Sequence, residues 1–294
     1  LGIVVITLGI VSSFQFKQTL PSPRRCSGSE RPQKLLLRAS SEVSPDDHTK
    51  SRRNILSSLV TVPFSIGLMG ADPAIAAETS EIPVYFGVGC FWHVQHEFVE
   101  AERTILKRDE QQLTALAGYA GGMNVGKDPT RPGAPGLVCY HNFQQIADYG
   151  KLGHGEVVGL NIPPTSFAGF ATEYFKLFDK GGDRPDKGDR GPEYRSLVGL
   201  PGGMEGPYFS DLKAAADIRD IKLVKGKGND GDTLGKKMVW VMDSTVFPFY
   251  QGEVYHQYHD GFFPGEDYPR DYNGLQSKFT RSGKLDTTGC PDVI

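Results

Sequence analysis

Val84-Tyr85-Phe86-Gly87-Val88-Gly89-Cys90-Phe91-Trp92 is where the fold of this 294-residue chain can be read outward. The first five residues are apolar, β-branched or aromatic but for one glycine, which reads as a short buried strand closed by Gly89. From residue 91 to 107 the apolar positions Phe91, Val94, Phe98, Ala101 and Ile105 recur at three- and four-residue steps, the spacing of one helix face. Residues 113–119 then read as a strand ending in the turn Gly121-Gly122, and residues 156–160 as another. A helix over residues 165–178 is bounded by Pro163-Pro164 and Gly181-Gly182, and residues 194–200 are extended. Residues 211–222 read as a further helix and 237–242 as a further strand, whereas 123–153 are irregular, with a short strand around 137–139. No GxGxxG follows any strand, which argues against a dinucleotide fold. The order strand–helix–strand, strand–helix–strand predicts an α+β fold: a ferredoxin-like two-layer α/β sandwich with long coil extensions. Residues 247–294 hold few apolar runs and read as a tail wrapping the surface.

Charge narrows the partners. Residues 1–77 carry nine Lys and Arg against five Asp and Glu, and the remainder carries 23 against 30. An acidic body of that kind argues against a phosphate backbone as its ligand, so no nucleic acid is expected. The four cysteines, Cys26, Cys90, Cys139 and Cys290, are too few and scattered for a disulfide-stapled scaffold, and no CxxC pair suggests structural zinc.

The first 77 residues read as address rather than fold. The chain opens on Leu1, so a fragment or a displaced start is expected. An apolar run over residues 1–11 is followed by a basic stretch with Arg24, Arg25, Arg31, Lys34 and Arg38. Next come the paired Arg52-Arg53, an apolar run over residues 59–69 and Ala74-Ile75-Ala76-Ala77, the layout of a twin-arginine signal. These runs are shorter than the roughly 20 residues a membrane span needs. A transit segment stacked on a twin-arginine signal implies a chloroplast protein of the thylakoid lumen. The catalytic domain is then expected over residues 78–294, with the tail from about 247 and no membrane span.

Cys90 is the candidate nucleophile. It lies between a strand-ending glycine and the first turn of an amphipathic helix, where unpaired N–H groups and the helix dipole favour a thiolate. A cysteine so placed is otherwise a buried structural residue. The surrounding blocks decide between the two. Gly89-Cys90-Phe91-Trp92, Gly118-Tyr119-Ala120-Gly121-Gly122, Gly153-His154-Gly155-Glu156-Val157-Val158, Gly188-Asp189-Arg190-Gly191-Pro192-Glu193-Tyr194-Arg195-Ser196 and Tyr255-His256-Gln257 occur in one order. That series, spread over residues 84–259, resembles the A-type peptide methionine sulfoxide reductases, which act on the S epimer.

The resemblance implies a repair enzyme that reduces the sulfoxide of oxidised proteins, peptides or free methionine through a sulfenic acid on Cys90. It implies Glu156 as the proton donor to the sulfoxide oxygen, with Asp189 and Tyr194 orienting that oxygen and nearby water. Phe91 and Trp92 match the pocket for the ε-methyl group, and His154 joins them as a substrate-side residue. The tyrosine usual just upstream of the mid-chain cysteine is replaced by Pro135, so Tyr149 or Tyr140 is expected to supply the second hydroxyl. Cys290 is the candidate resolving thiol, with Cys139, read as core, the alternative. No bound cofactor or metal is expected, and a monomer recycled by thioredoxin or another dithiol is implied.

Departures mark a divergent relative. His93 and Gln95 stand where Gly and Glu are usual, and the interval from Cys139 to Glu156 is longer than usual. Two histidine sets, His93 with His96 and Glu253 with His256 and His259, have ligand-like spacing but form no HExxH. The acidic stretch 181–191 lacks EF-hand spacing and reads as a solvated loop. Two alternatives belong to other classes: a non-catalytic lumenal binding factor of the same fold, and a thiol peroxidase that would not need Glu156.

Overall fold

β1 (Ile82–Gly87) lies at the middle of the sheet and is covered on both faces. In the computed structural model, which describes residues 80–127, 136–261, 265 and 267–291, it leads into helix α1 (Phe91–Ile105). Then follow β2 (Leu116–Ala120), β3 (Gly155–Ile162), α2 (Phe167–Lys176) and β4 (Leu197–Leu200). The four strands among these six elements pair in the order β4-β1-β3-β2, every neighbour antiparallel, which is the expected ferredoxin-like core. Helix α3 (Phe209–Ile218) then returns the chain to β5 (Lys222–Lys225) and β6 (Met238–Asp243), which extend the sheet in parallel beyond β4. On the opposite edge β7 (Tyr250–Gln251) pairs with β2. The targeting segment with Cys26, and Pro135, lie outside the described residues.

The side-chain period of a strand explains the two layers. Val84 and Phe86 of β1 point into the helix-side core with Phe98, Phe167, Phe170 and Tyr174. Between them Tyr85 points the other way, into a smaller cluster with Ala120, Val157, Leu197 and Met242. Phe247 and Phe249 pack on that second cluster from coil. Phe86 is the hub of the helix-side layer. Its ring centroid lies 4.6 Å from Phe98, 5.3 Å from Tyr174 and 6.4 Å from Phe167, so β1, α1 and α2 meet on one side chain.

Two expectations are corrected. The helix expected to reach residue 222 stops at Ile218, because Asp220 has a positive φ of 51° and Leu223 is drawn into β5 beside β6. The segment from residue 247 contributes β7 and a fourth helix, α4 (Arg270–Ser282). Tyr272, Leu275 and Phe279 of α4 are buried, packing around Tyr258. Charged and polar residues separate these apolar positions, so no continuous run marks them, although their three- and four-residue spacing does. Among the described residues no helix is long and apolar enough to cross a membrane.

Phe86→Ala is expected to cost about 3–5 kcal/mol of unfolding free energy, from lost burial plus the cavity left under three rings. A urea midpoint unchanged from wild type would contradict Phe86 as the hub.

Candidate active site

One end of the sheet collects the chemistry. Because its central strands are antiparallel, the C-terminus of β1 lies beside the starts of β3 and β4, with Gly87 opposite Leu197 and Ala120 opposite Gly155. Cys90 caps α1 in extended conformation, φ −61° and ψ 127°, and is buried and in no disulfide. Gly89 before it takes φ +88°, and a β-carbon there would come within 3.4 Å of the Arg184 side chain.

Glu156, the second residue of β3, is fully buried and aimed at this turn. The Phe91 backbone N–H donates to its Oε2 at 3.0 Å, and the Tyr149 hydroxyl donates to its Oε1 at 3.1 Å. The carboxyl is thereby fixed against the first helical N–H after Cys90. Burial pushes the Tyr149 hydroxyl well above the usual tyrosine range, and Glu156, Tyr194 and Tyr140 act in the same direction. Tyr149 is thus a neutral donor, within electrostatic reach of Tyr194.

Asp189 and Tyr194 come from the loop before β4, and a buried arginine that sequence reasoning passed over arranges both. Arg184 Nε and Nη2 donate to the Asp189 carbonyl at 2.9 and 2.7 Å, and Nη1 donates to the Tyr194 carbonyl at 2.9 Å. Asp232 pairs with the guanidinium at 2.8 Å. The stretch read as a solvated loop is therefore anchored from inside, because its carbonyls need donors once Arg184 has gone under the Cys90 turn. Burial, helped by Asp186 and opposed by Arg184, pushes the Asp189 carboxyl up to about 7. Its Oδ2 is buried without a hydrogen-bond partner among the described residues.

A second unanticipated clamp is His141. It contacts Asp148 at 2.9 Å and Glu193 at 3.5 Å, residues adjacent in sequence to Tyr149 and Tyr194. Burial works against its charge, but the hydrogen bond to Asp148 and the nearby Glu193 carboxylate outweigh it and hold its pKa at about 10. A charged, paired His141 locks the two tyrosine-bearing loops together.

Aromatic side chains form the remaining wall. Phe91 packs on Tyr119 and His256, with centroids at 5.9 and 5.1 Å, and Trp92 stacks on His259 at 3.8 Å. His256 also faces Tyr140 at 4.3 Å, and burial pushes its pKa down to about 3. Neither of its ring nitrogens has a hydrogen-bond partner among the described residues. His154, expected beside the substrate, instead has both nitrogens on backbone. Gly122 N–H donates to Nδ1 at 3.1 Å and Nε2 lies 2.8 Å from the Asn124 carbonyl, so it pins the Gly121-Gly122 turn. Gln95 bonds to Gln257, the Ala115 carbonyl and the Tyr258 N–H. An uncharged side chain at that position is therefore fully satisfied.

The structure joins the two remaining described cysteines to each other. Cys139 and Cys290 form a disulfide across 151 residues of sequence, leaving Cys90 outside it. Among the described residues Cys139, Cys290 and Glu253 are the group whose donor atoms converge within 4.8 Å, and with the sulfurs bonded together no thiolate is offered to a metal. A buried thiol outside any disulfide, at a helix N-terminus and one residue before the N–H that holds the Glu156 carboxyl, defines a thiol-based site on an α+β scaffold.

No protein-family model matches the chain. Over 143 residues, 48% of its length, it is 29% identical to peptide methionine sulfoxide reductase MsrA 2 of Caulobacter vibrioides, and it spans 61% of that relative's length. Among solved structures, methionine sulfoxide reductase A of Corynebacterium diphtheriae is 17% identical with a TM-score of 0.37, the match covering 65% of this chain and 84% of that one. Mxr1 of Saccharomyces cerevisiae in its reduced form is 18% identical with a TM-score of 0.34, covering 63% and 84%. The chain is similar to A-type methionine sulfoxide reductases as a divergent relative.

Asp189 keeps its proton in the folded chain up to about pH 7, against 3.8 for an ordinary aspartate. Between those values the folded chain holds a proton that the unfolded chain has lost, so stability falls as pH rises across that window. Urea unfolding of the wild type is expected to become easier with rising pH there, relative to Asp189→Asn. Parallel pH curves for the two proteins would contradict this reading.

Proposed function

We propose that this chain is a thiol-dependent reductase of peptide and protein methionine (S)-sulfoxide, working through Cys90. The observation that carries the reading is the Glu156 carboxyl held between the Phe91 N–H and the Tyr149 hydroxyl. A sulfoxide sulfur is attacked by thiolate only if its oxygen gains a proton, and a buried acid beside the nucleophile meets that requirement. Tyr149 and Tyr194 direct hydroxyls at the same oxygen, and Phe91 with Trp92 shelters the methyl group. Cys90 takes the oxygen as a sulfenic acid and methionine leaves. A second thiol condenses with the sulfenic acid, releasing water. A Cys139–Cys290 disulfide with Cys90 outside it corresponds to the stage at which oxidation has been passed from the nucleophile to this pair. A thioredoxin-type dithiol would then reduce the pair and close the cycle. The paired arginines and the Ala-x-Ala end of residues 1–77 support repair work in the thylakoid lumen.

The test is methionine formation from a peptide carrying racemic methionine sulfoxide, with dithiothreitol as reductant. One epimer is expected to be consumed. Cys90→Ser should abolish turnover, Glu156→Gln should lower kcat by about 10²–10⁴, and Tyr149→Phe should lower it less. A folded chain that consumes neither epimer, or that destroys hydrogen peroxide faster than sulfoxide, would overturn the proposal.

A further inference from the structure

The Cys139–Cys290 disulfide has two unequal ends. Cys139 is buried at 1% exposure, whereas Cys290 is partly exposed and lines a groove of about 480 Å³ with Leu137, Val138, Tyr250, Gln251 and Thr288. One wall of that groove is β7, the edge strand of the sheet. On the inner side stands Glu253, 8% exposed, with a carboxylate oxygen within 4.8 Å of both sulfurs. Its Oε1 accepts the Tyr140 N–H at 2.8 Å and its Oε2 the Tyr119 hydroxyl at 2.7 Å. A buried carboxyl against a disulfide has no packing reason to be there, since an apolar residue would cost less.

We propose that Glu253 is the proton donor of a thiol–disulfide exchange site at which an incoming dithiol attacks Cys290 and expels Cys139. This rests on the reductase reading only for the origin of the disulfide. A reductant thiolate entering by the groove forms a bond to Cys290 Sγ. The Cys139–Cys290 bond breaks, and Cys139 Sγ departs with the electron pair. A thiolate left in that buried place would be desolvated and a poor leaving group, and transfer of the Glu253 proton to it removes the charge. The reductant's second thiol then attacks its own sulfur in the mixed disulfide, freeing Cys290 as thiolate. The reductant ends as a disulfide, having given up two electrons and two protons, which by way of solvent restore the Glu253 carboxyl and protonate Cys290. The Tyr119 hydroxyl can turn to accept from Glu253 while the carboxyl is protonated.

The titratable groups facing Glu253 are Tyr119 on β2 and Tyr140 on the loop after residue 136, while Cys139 and Cys290, bonded to each other, do not titrate. Tyr119 also feels Glu156. Burial raises the Glu253 carboxyl above its ordinary range, against the two hydrogen bonds it accepts.

The experiment is stopped-flow reduction of the oxidised chain by dithiothreitol, following loss of the Cys139–Cys290 disulfide with no sulfoxide present. Its outcome is thus independent of what Cys90 does. Rates are expressed per mole of reductant thiolate between about pH 5 and 9. The wild-type rate is expected to fall as pH rises through the Glu253 ionisation, and Glu253→Gln, which can keep both hydrogen bonds, to be slower at low pH by about tenfold or more and flat. Alkylation after partial reduction by a monothiol should find the mixed disulfide on Cys290. A flat wild-type profile, or a mixed disulfide on Cys139, would overturn the proposal even if the variant did not fold.

Discussion

The bond from the Phe91 N–H to the Glu156 carboxyl ties the first turn of α1 to the first residues of β3, and the site is built around it. Both partners are buried, so neither has water to fall back on, and the contact must be kept for the turn to exist. It fixes the direction in which α1 leaves the sheet and so the position of Cys90. It also fixes the return of the chain after residues 121–154, since Glu156 is where that excursion rejoins the sheet. The described parts of the insertion between β2 and β3, residues 121–127 and 136–154, can therefore be irregular and still accurate where they rejoin the sheet. Tyr149 exploits this by reaching back to the same carboxyl.

Guanidinium groups do for the loops what strand pairing does for the sheet. Arg195 is fully buried and spends its donors on the carbonyls of Gly121, Gly153 and Pro192, joining three turns. Arg184 does the same for Asp189 and Tyr194. A planar fork with five donors suits coil whose carbonyls have no strand partner. The polar residues of the described interior are therefore mostly architectural, and among those left unsatisfied are Asp189 Oδ2, Trp92 Nε1 and the His256 ring, which packs on Phe91 and Trp92.

The βαββαβ core was legible because its signals are local: Phe91, Val94 and Phe98 report a helix whatever lies elsewhere, and β1 and β3 are apolar runs. What stayed hidden depends on distance. Arg184 sits among aspartates and glycines and reads as surface until its carbonyl partners are seen. His141 has no motif, and its two carboxylates lie 7 and 52 positions away along the chain. Gly153-His154-Gly155-Glu156 puts Glu156 at the opening of a strand but says nothing of what His154 bonds. Cys139 and Cys290 were each weighed alone as a resolving thiol. Their union could not be inferred, since nothing local brings residue 290 back to residue 139. Tyr272, Leu275 and Phe279 were readable by periodicity, and run length was the wrong measure for an amphipathic helix this polar.

The 151-residue separation of the disulfide has a mechanical meaning. Closing a loop of that size removes chain entropy from the unfolded state equivalent to about 5 kcal/mol in the loop-closure model, comparable with the whole stability of many domains. The bond ties the end of the chain, beyond α4, to the insertion that carries Tyr140 and Tyr149. If that bond is made and broken in each cycle, the molecule alternates between a cross-linked and an open form of the same fold. Its resistance to unfolding and proteolysis then becomes a readout of the reducing power around it, and scarcity of electrons would leave it in its tougher state.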